Sequence, residues 1–301
     1  CNLIVSFHPI LFKGLKKITG DDYVQRTILK AIKNDIAIYA IHTALDNHQN
    51  GVNAAIAERL QLQSTKILVP KKGTIKKLVT YVPKENEKKV LEVLYEAGAG
   101  ALGNYDQCSF ITEGFGSFRG NEKSNPSIGQ QMKKTIVEEK QIQVIFLAHQ
   151  EKQILNSLRS AHPYETVAYE IISTDNENPD IGMGKVGTLK KPMSGQEFLS
   201  FVKKQMLTPI IRHSKLNSKP IQKVAVLGGS GSFVISEAKR SNADALVTAD
   251  LKYHDFFQAE DQLLLVDVGH FESEQFTKNL IYYYLKKKLP NFTIVLSNTI
   301  T

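Results

Sequence analysis

The residues of this chain that could carry out chemistry are histidines and carboxylates that follow apolar runs. In residues 263–274, an apolar run predicts a buried strand, Gly269 breaks it, and His270 follows at once. Glu274 lies four residues further on, so the two side chains share a face if His270 already has helical geometry. An imidazole and a carboxylate presented together are typical of half a divalent-metal site. From Ser273 onward apolar residues recur at helical spacing, and Ser273 is expected to cap that helix.

The same pattern recurs after three other predicted strands. The side chains concerned are His8 after strand 2–7, His42 and Asp46 after strand 36–41, and Asp250 and His254 after strand 246–248. Because open α/β sheets bind ligands at the carboxyl ends of their strands, we expect these groups to converge. A His/Asp/Glu mixture without thiolates suits Zn, Mn, Fe or Mg, and such sites often hold two ions that activate water. The competing interpretation is that each histidine bonds only to nearby backbone.

A glycine-rich stretch, residues 228–232, lies between a predicted strand (224–227) and a predicted helix (233–240). Backbone N–H groups at such a turn can bind anions, which makes Gly229, Ser230 and Gly231 candidates for phosphate contact. The stretch matches neither GxGxxG nor the P-loop pattern. A tight strand-to-helix turn therefore explains it equally well.

The order of predicted elements indicates two kinds of domain. Strands and helices alternate in residues 1–73 and again in 183–301, which predicts an α/β domain with a mainly parallel sheet and a last strand at 293–298. Residues 74–182 contain two strand–helix–strand repeats and are predicted to form a ferredoxin-like α+β insert. Polar, proline-containing stretches at 70–73 and 175–179 mark the boundaries.

Composition limits the binding partners and the cellular compartment that can be expected for this protein. The net charge is +8 and lysines cluster in residues 66–89, but no aromatic residues alternate with them, which disfavours nucleic acid. No apolar run is long enough to cross a membrane. The two cysteines, Cys1 and Cys108, do not form a disulfide framework, so we expect a cytoplasmic protein. Because the predicted strand 2–7 follows Cys1 directly, we also expect an upstream segment.

Several motifs, in order, resemble those of the GTP cyclohydrolase I type 2 homologues, also called the Nif-three-like family. They are residues 6–12, 42–46, 51–53, 228–231 and 268–274. Residues 114–119 and 161–165 resemble the PII/CutA-like insert of the longer bacterial members. The resemblance implies a two-lobed Nif-three-like α/β fold interrupted by that insert, one or two divalent ions per subunit, and a homohexamer. It also implies that early strands of the first lobe precede Cys1.

Carried over by motif, the metal ligands are His8, Asp46, His270 and Glu274. His42 and His254 are candidates for additional ligands or for groups that orient the ligands. The family usually has two histidines before Pro9, whereas this chain has Phe7 and His8, so we expect a second ion to bind more weakly. The function implied is a metal-dependent hydrolase acting on a nucleotide or phosphate ester. The alternative is a non-catalytic metal-binding scaffold or regulator.

Overall fold

The computed structural model describes residues 1–298 and divides the chain into two compact units. The discontinuous unit combines Cys1–Pro70 with the chain from Pro179 onward, and the inserted unit is Lys71–Asn178. The sequence-based boundaries were 73/74 and 182/183. Within residues 1–298, no helix is both long enough and apolar enough to cross a membrane.

Helices and strands are mixed in both units, over three sheets. In chain order the strands are β1 (Leu3–Ser6), β2 (Ala37–Ala40), β3 (Gln63–Lys71), β4 (Ile75–Pro83), β5 (Ser109–Arg119), β6 (Lys134–Leu147), β7 (Tyr169–Ser173), β8 (Asn178–Met193), β9 (Arg212–His213), β10 (Ile221–Ser230), β11 (Ala245–Ala249) and β12 (Leu264–Asp267). The α-helices are α1 (Tyr23–Lys33), α2 (Thr43–Asp46), α3 (Val52–Arg59), α4 (Glu87–Glu96), α5 (Glu151–Ala161), α6 (Gly195–Gln205), α7 (Ile235–Arg240), α8 (His270–Glu274) and α9 (Thr277–Lys288).

The discontinuous unit contains a six-stranded sheet in the order β3-β8-β10-β11-β12-β9. Its centre, β10, β11 and β12, is parallel, as predicted, but β8 and β9 run antiparallel to their neighbours. The sheet is therefore mixed. Alternate residues of β10 face opposite sides: Val224 and Val226 join one apolar cluster, and Ala225 and Leu227 join the other. Burial of both faces leaves the carboxyl ends of the strands as the place where polar side chains emerge.

A separate parallel pair, β1 and β2, supplies the rest of the site-bearing framework. Helix α1 joins the two strands, and Asp22 caps it by accepting a hydrogen bond from the Gln25 N–H (2.8 Å). After β2 the chain enters α2, which carries Asp46, and then α3. Gly51 directly precedes α3.

Two predictions about the carboxyl-terminal part were wrong. The helix after β12 begins at His270 rather than at Ser273. Gly269, which adopts φ 91°, turns the chain directly before His270, so the helix can begin there. Ser273 lies inside α8 and does not cap it. Residues 293–298 form no strand.

The inserted unit has a four-stranded antiparallel sheet in the order β5-β6-β4-β7. Helices α4 and α5 cover one face. The apolar side chains that hold them to the sheet include Leu78 and Val82 of β4, Ile142 and Val144 of β6, Leu94 of α4 and Leu158 of α5. The strand β6 forms a long antiparallel ladder with β5.

We expect Gly51→Ala to destabilise the discontinuous unit by about 1–3 kcal/mol. A Cβ at this position would lie within 3.0 Å of the carbonyl oxygens of Leu45 and His48, so α2 would have to shift. Urea unfolding would measure the loss. The matched control is Gly14→Ala, because a Cβ there meets nothing within 4 Å. Equal stability of the two variants would contradict the role assigned to Gly51.

Candidate metal centre

Three of the four predicted ligands have donor atoms that converge. His8 follows β1, and His270 and Glu274 are the first and last residues of α8. One donor atom from each lies within 4.8 Å of the other two. The Nε2 atoms of His8 and His270 are each 3.2 Å from Oε2 of Glu274. Two elements far apart in sequence therefore place two imidazoles around one carboxylate oxygen.

The carboxylate oxygens at this place lack hydrogen-bond donors. Oε2 of Glu274 is buried and accepts no hydrogen bond, because the two histidine contacts do not meet hydrogen-bond geometry. Oδ1 of Asp46 is also buried and without a partner. Such orphaned oxygens are costly unless a cation or a donor compensates them. The donor set therefore fits a divalent ion coordinated by imidazole nitrogens and carboxylate oxygens.

Asp46, the fourth predicted ligand, lies in the electrostatic field of this cluster. Its side chain is buried, and burial together with the nearby charge of Glu274 raises its pKa to about 7, partly offset by His270. The amide of Asn53 donates to the Asp46 carbonyl oxygen (3.0 Å), which fixes the end of α2. A carboxyl held under these conditions takes up either a proton or a cation readily.

Asp250 orients His270. Its Oδ2 lies 2.7 Å from Nδ1 of His270, and since a carboxylate only accepts, Nδ1 carries the proton and Nε2 faces Glu274. The contact with Glu274, followed by the hydrogen bond to Asp250, raises the pKa of His270 to about 9 against the effect of burial. Burial raises the pKa of Asp250, but hydrogen bonds from Ser230 and His270 outweigh it and hold that pKa below its usual value.

The candidate phosphate-binding residues already have internal partners. Gly229 and Ser230 belong to β10, which extends further than predicted. The Gly229 N–H donates to Oγ of Ser273 (2.9 Å), and the Gly231 N–H donates to the Ala249 carbonyl (3.3 Å). The Ser230 hydroxyl donates to a carboxylate of the site. A phosphate at this turn would have to displace these bonds.

Gly229 has a different structural role in the site. It adopts φ 70°, and a Cβ there would lie 2.6 Å from Oε1 of Glu274 and 3.4 Å from the His270 ring. Only glycine allows both side chains to approach the end of β10 this closely. The glycine-rich stretch therefore makes room for the cluster.

The two further histidines occupy different surroundings. The ring of His42 lies 5.5 Å from that of His8, so it borders the cluster. His254 is exposed on a 3₁₀ turn beside Tyr253, and it is not among the converging donors. Phe7 packs against the apolar core and touches the His8 ring edge-on, with centroids 4.9 Å apart.

Similarity to known proteins identifies the family. Residues 1–301 match the model of the family described as Duf34/NIF3 (NGG1p interacting factor 3). This chain belongs to that family. The "GTP cyclohydrolase 1 type 2 homolog" of Bacillus subtilis (strain 168) is 41% identical over 275 residues, covering 90% of this chain and 73% of that protein. The homologue of the same name from Halalkalibacterium halodurans is 40% identical over 270 residues, which cover 89% of this chain and 73% of that protein.

A solved NIF3-family structure resembles the whole chain. "The Crystal Structure of Bacillus cereus protein related to NIF3" matches with a TM-score of 0.80 at 35% identity, covering 100% of this chain and 83% of that one. The family predicted from the ordered motifs is thereby confirmed.

From the sequence, Asp250 was one of the groups expected to converge at the strand ends, but no partner could be assigned to it. Its position after a strand was visible, but its partner was not, because the sequence does not state that β11 and β12 are neighbours. The parallel pairing of those strands brings Asp250 next to His270.

Asp46→Asn should stabilise the metal-free protein increasingly as pH rises from about 4 to 7. The folded-state pKa of Asp46, about 7, exceeds its ordinary value of 3.8, so the folded state holds the proton more tightly and loses stability as pH rises through that interval. Asparagine has no such loss, and the difference should level off above pH 7 at roughly 2–4 kcal/mol. Thermal unfolding of chelator-treated protein would measure it. If the difference in stability between Asp46→Asn and the unmodified protein did not change with pH, Asp46 would not have the raised pKa assigned to it.

Asp250→Asn should weaken binding of Zn²⁺ or Mn²⁺ by about 10–100-fold, because His270 loses the carboxylate that fixes its tautomer. Asparagine tolerates the φ of 57° at this position, so the backbone should be preserved. Calorimetric titration would measure the affinity. His254→Ala, at an exposed histidine outside the cluster, is the matched control and should leave it unchanged. Unaltered affinity in Asp250→Asn would show that Asp250 does not support the site.

Proposed function

We propose that this protein is a metal-dependent hydrolase of a nucleotide or phosphate ester, with one or two divalent ions held by His8, Asp46, His270 and Glu274. The observation that carries the proposal is the pair of buried, unsatisfied carboxylate oxygens beside two converging imidazoles. Imidazole nitrogens and carboxylate oxygens arranged in this way can bind Zn, Mn, Fe or Mg. A bound divalent ion supplies Lewis acidity to a phosphoryl oxygen and makes water more acidic.

The chain's own residues prepare this place in three ways. Asp250 keeps the proton of His270 on Nδ1, which leaves Nε2 directed at Glu274. Asp46 and Glu274 concentrate negative charge in a buried place, and Asp46 is 8% exposed. Gly229 leaves the space that Glu274 and His270 occupy. The relatives are named as GTP cyclohydrolase homologues, which makes GTP the first substrate to test on this chain.

We also propose that the inserted unit is a ferredoxin-like domain. Its elements follow the order strand, helix, strand, strand, helix, strand, and its first and third strands, β4 and β6, lie at the centre of the sheet. This arrangement supports the assignment. A homohexamer is proposed from the family resemblance alone, and sedimentation of the purified protein would test it. A cytoplasmic location is proposed because Cys1 and Cys108 do not form a disulfide framework.

The metal should bind in unequal steps. Titration of chelator-treated protein with Mn²⁺ or Zn²⁺ should give one tight equivalent and a weaker second, because Phe7 offers no nitrogen. Metal-loaded protein should hydrolyse GTP or p-nitrophenyl phosphate, and His270→Ala should lose at least about tenfold in both affinity and turnover. His254→Ala should retain both. Tight binding without turnover would favour the scaffold alternative, and no binding by the unmodified chain would refute both functions.

A further inference from the structure

His42 has a backbone conformation that residues with a Cβ rarely adopt. Its φ of 44° and ψ of −133° lie in a region open mainly to glycine, so a bulky side chain at this position costs stability. Strained positions of this kind cluster at active sites and ligand-binding sites. The four ligands of the proposed metal centre do not explain why a histidine, rather than a glycine, occupies this position. His42 is therefore a candidate for a separate role.

Two backbone hydrogen bonds hold His42 in this conformation. The His42 N–H donates to the Phe7 carbonyl (2.8 Å), and the Leu45 N–H donates to the His42 carbonyl (2.9 Å). The first bond reaches the residue before His8, and the second lies in the first turn of α2, which carries Asp46. Relaxation of the His42 backbone would therefore move two of the predicted ligands. The strain persists because these bonds fix the chain on both sides of it.

Aromatic neighbours limit the rotation of the half-buried His42 ring. The Phe7 and Phe12 rings meet it edge-on, with centroids 6.1 Å and 5.6 Å away. The centroid of the His8 ring lies 5.5 Å away. Phe7 packs against the apolar core, whereas Phe12 is 69% exposed, so the His42 ring lies between the core and the solvent. A ring held in this way needs little further ordering when a ligand binds.

The nitrogens of the His42 ring are available to a ligand. Among residues 1–298 no group forms a hydrogen bond with this ring, and neither nitrogen is one of the buried atoms without a partner, so both are open to solvent. His270 differs, because Asp250 lies on its Nδ1 and Glu274 beside its Nε2. A neutral imidazole already carries one N–H, so His42 can donate a hydrogen bond in either protonation state.

His42 borders the converging donors without being one of them. In the part of the chain that the structure describes, the group whose donor atoms lie within 4.8 Å of one another consists of His8, His270 and Glu274. A side chain just outside such a group is placed to contact what an ion would bind, rather than the ion. Asp46 and Glu274, when ionised, only accept hydrogen bonds and repel an anion. A phosphate group at this centre therefore needs a donor, and the His42 ring supplies one.

We propose that His42 binds the phosphate group of the substrate, with a ring N–H that donates to a phosphate oxygen. This role rests on the proposed function, and it names the part of the substrate that the centre recognises. Hydrogen bonds to an ionised acceptor are stronger than those between neutral groups, so substrate binding gains from a side chain that the fold holds under strain. His42 is then a binding residue and not a third imidazole ligand.

Calorimetric titration of the full chain with inorganic phosphate, after loading with one equivalent of Zn²⁺, tests the proposal. Phosphate should bind with one site per chain. His42→Phe should weaken that binding by about 10–100-fold, because the hydrogen bond is lost while the contacts with Phe7 and Phe12 remain. The affinity for the first Zn²⁺ should stay the same. His254→Phe, the same change at an exposed histidine outside the cluster, should bind phosphate as the unmodified chain does.

The strain of the His42 backbone can be measured without metal or phosphate. In chelator-treated protein, His42→Gly should melt at least about 2 °C above His42→Ala, because both changes remove the ring and only glycine fits the backbone. At unstrained positions the order of stability is reversed.

Phosphate that binds His42→Phe as tightly as the unmodified chain would overturn the role of His42 and leave the metal-dependent function standing. A parallel loss of Zn²⁺ affinity would overturn it as well, because His42 would then be a ligand. A Zn²⁺-loaded chain that binds no phosphate, or a lower melting temperature for His42→Gly than for His42→Ala, would also contradict it. Failure of the unmodified chain to bind Zn²⁺ would refute the proposed function, and the role of His42 with it.

Discussion

Oε2 of Glu274 is buried between two imidazoles and accepts no hydrogen bond, so the fold must hold in place a carboxylate oxygen that lacks a hydrogen-bond donor. Several contacts do so. The Gly228 N–H donates to Oδ1 of Asn53 (3.0 Å), and the Asn53 amide donates to the Asp46 carbonyl, which joins β10, α3 and α2. Asn53 is 2% exposed, so this bridge is shielded from water. The hydrogen bonds among these neighbouring groups offset the free-energy cost of burying the carboxylate.

The sheet gives this arrangement its rigidity. Because β10, β11 and β12 are apolar on both faces, they cannot tilt without opening one of two packed clusters. Their carboxyl ends therefore hold Gly229, Asp250 and His270 in fixed relation. The β1–β2 pair then contributes His8 from a different sheet. The site is assembled from two sheets that the chain connects through α2 and α3.

The parts of the fold and of the site that could be predicted from the sequence are those that depend on residues close together in the chain. The strands β1, β2, β10, β11 and β12 follow from apolar runs, and the ordered motifs identified the family. By contrast, β8 was missed because its stability comes from pairing with β10, a long-range contact. The start of α8 depended on the positive φ of Gly269, which spacing does not reveal. The role of Asp250 required knowing which strands are neighbours.

Charge balance explains why a proton and a metal ion compete for the same place. With a pKa of about 9, His270 carries a proton on Nε2 as well as on Nδ1 at neutral pH, and this positive charge partly compensates Glu274. Asp46, with a pKa of about 7, also holds a proton for part of the time. A divalent ion needs both groups deprotonated, so its binding must release protons and weaken in acid. At neutral pH the proton on His270 and the partly occupied proton on Asp46 therefore offset negative charge at this place, and a bound ion would take over that role.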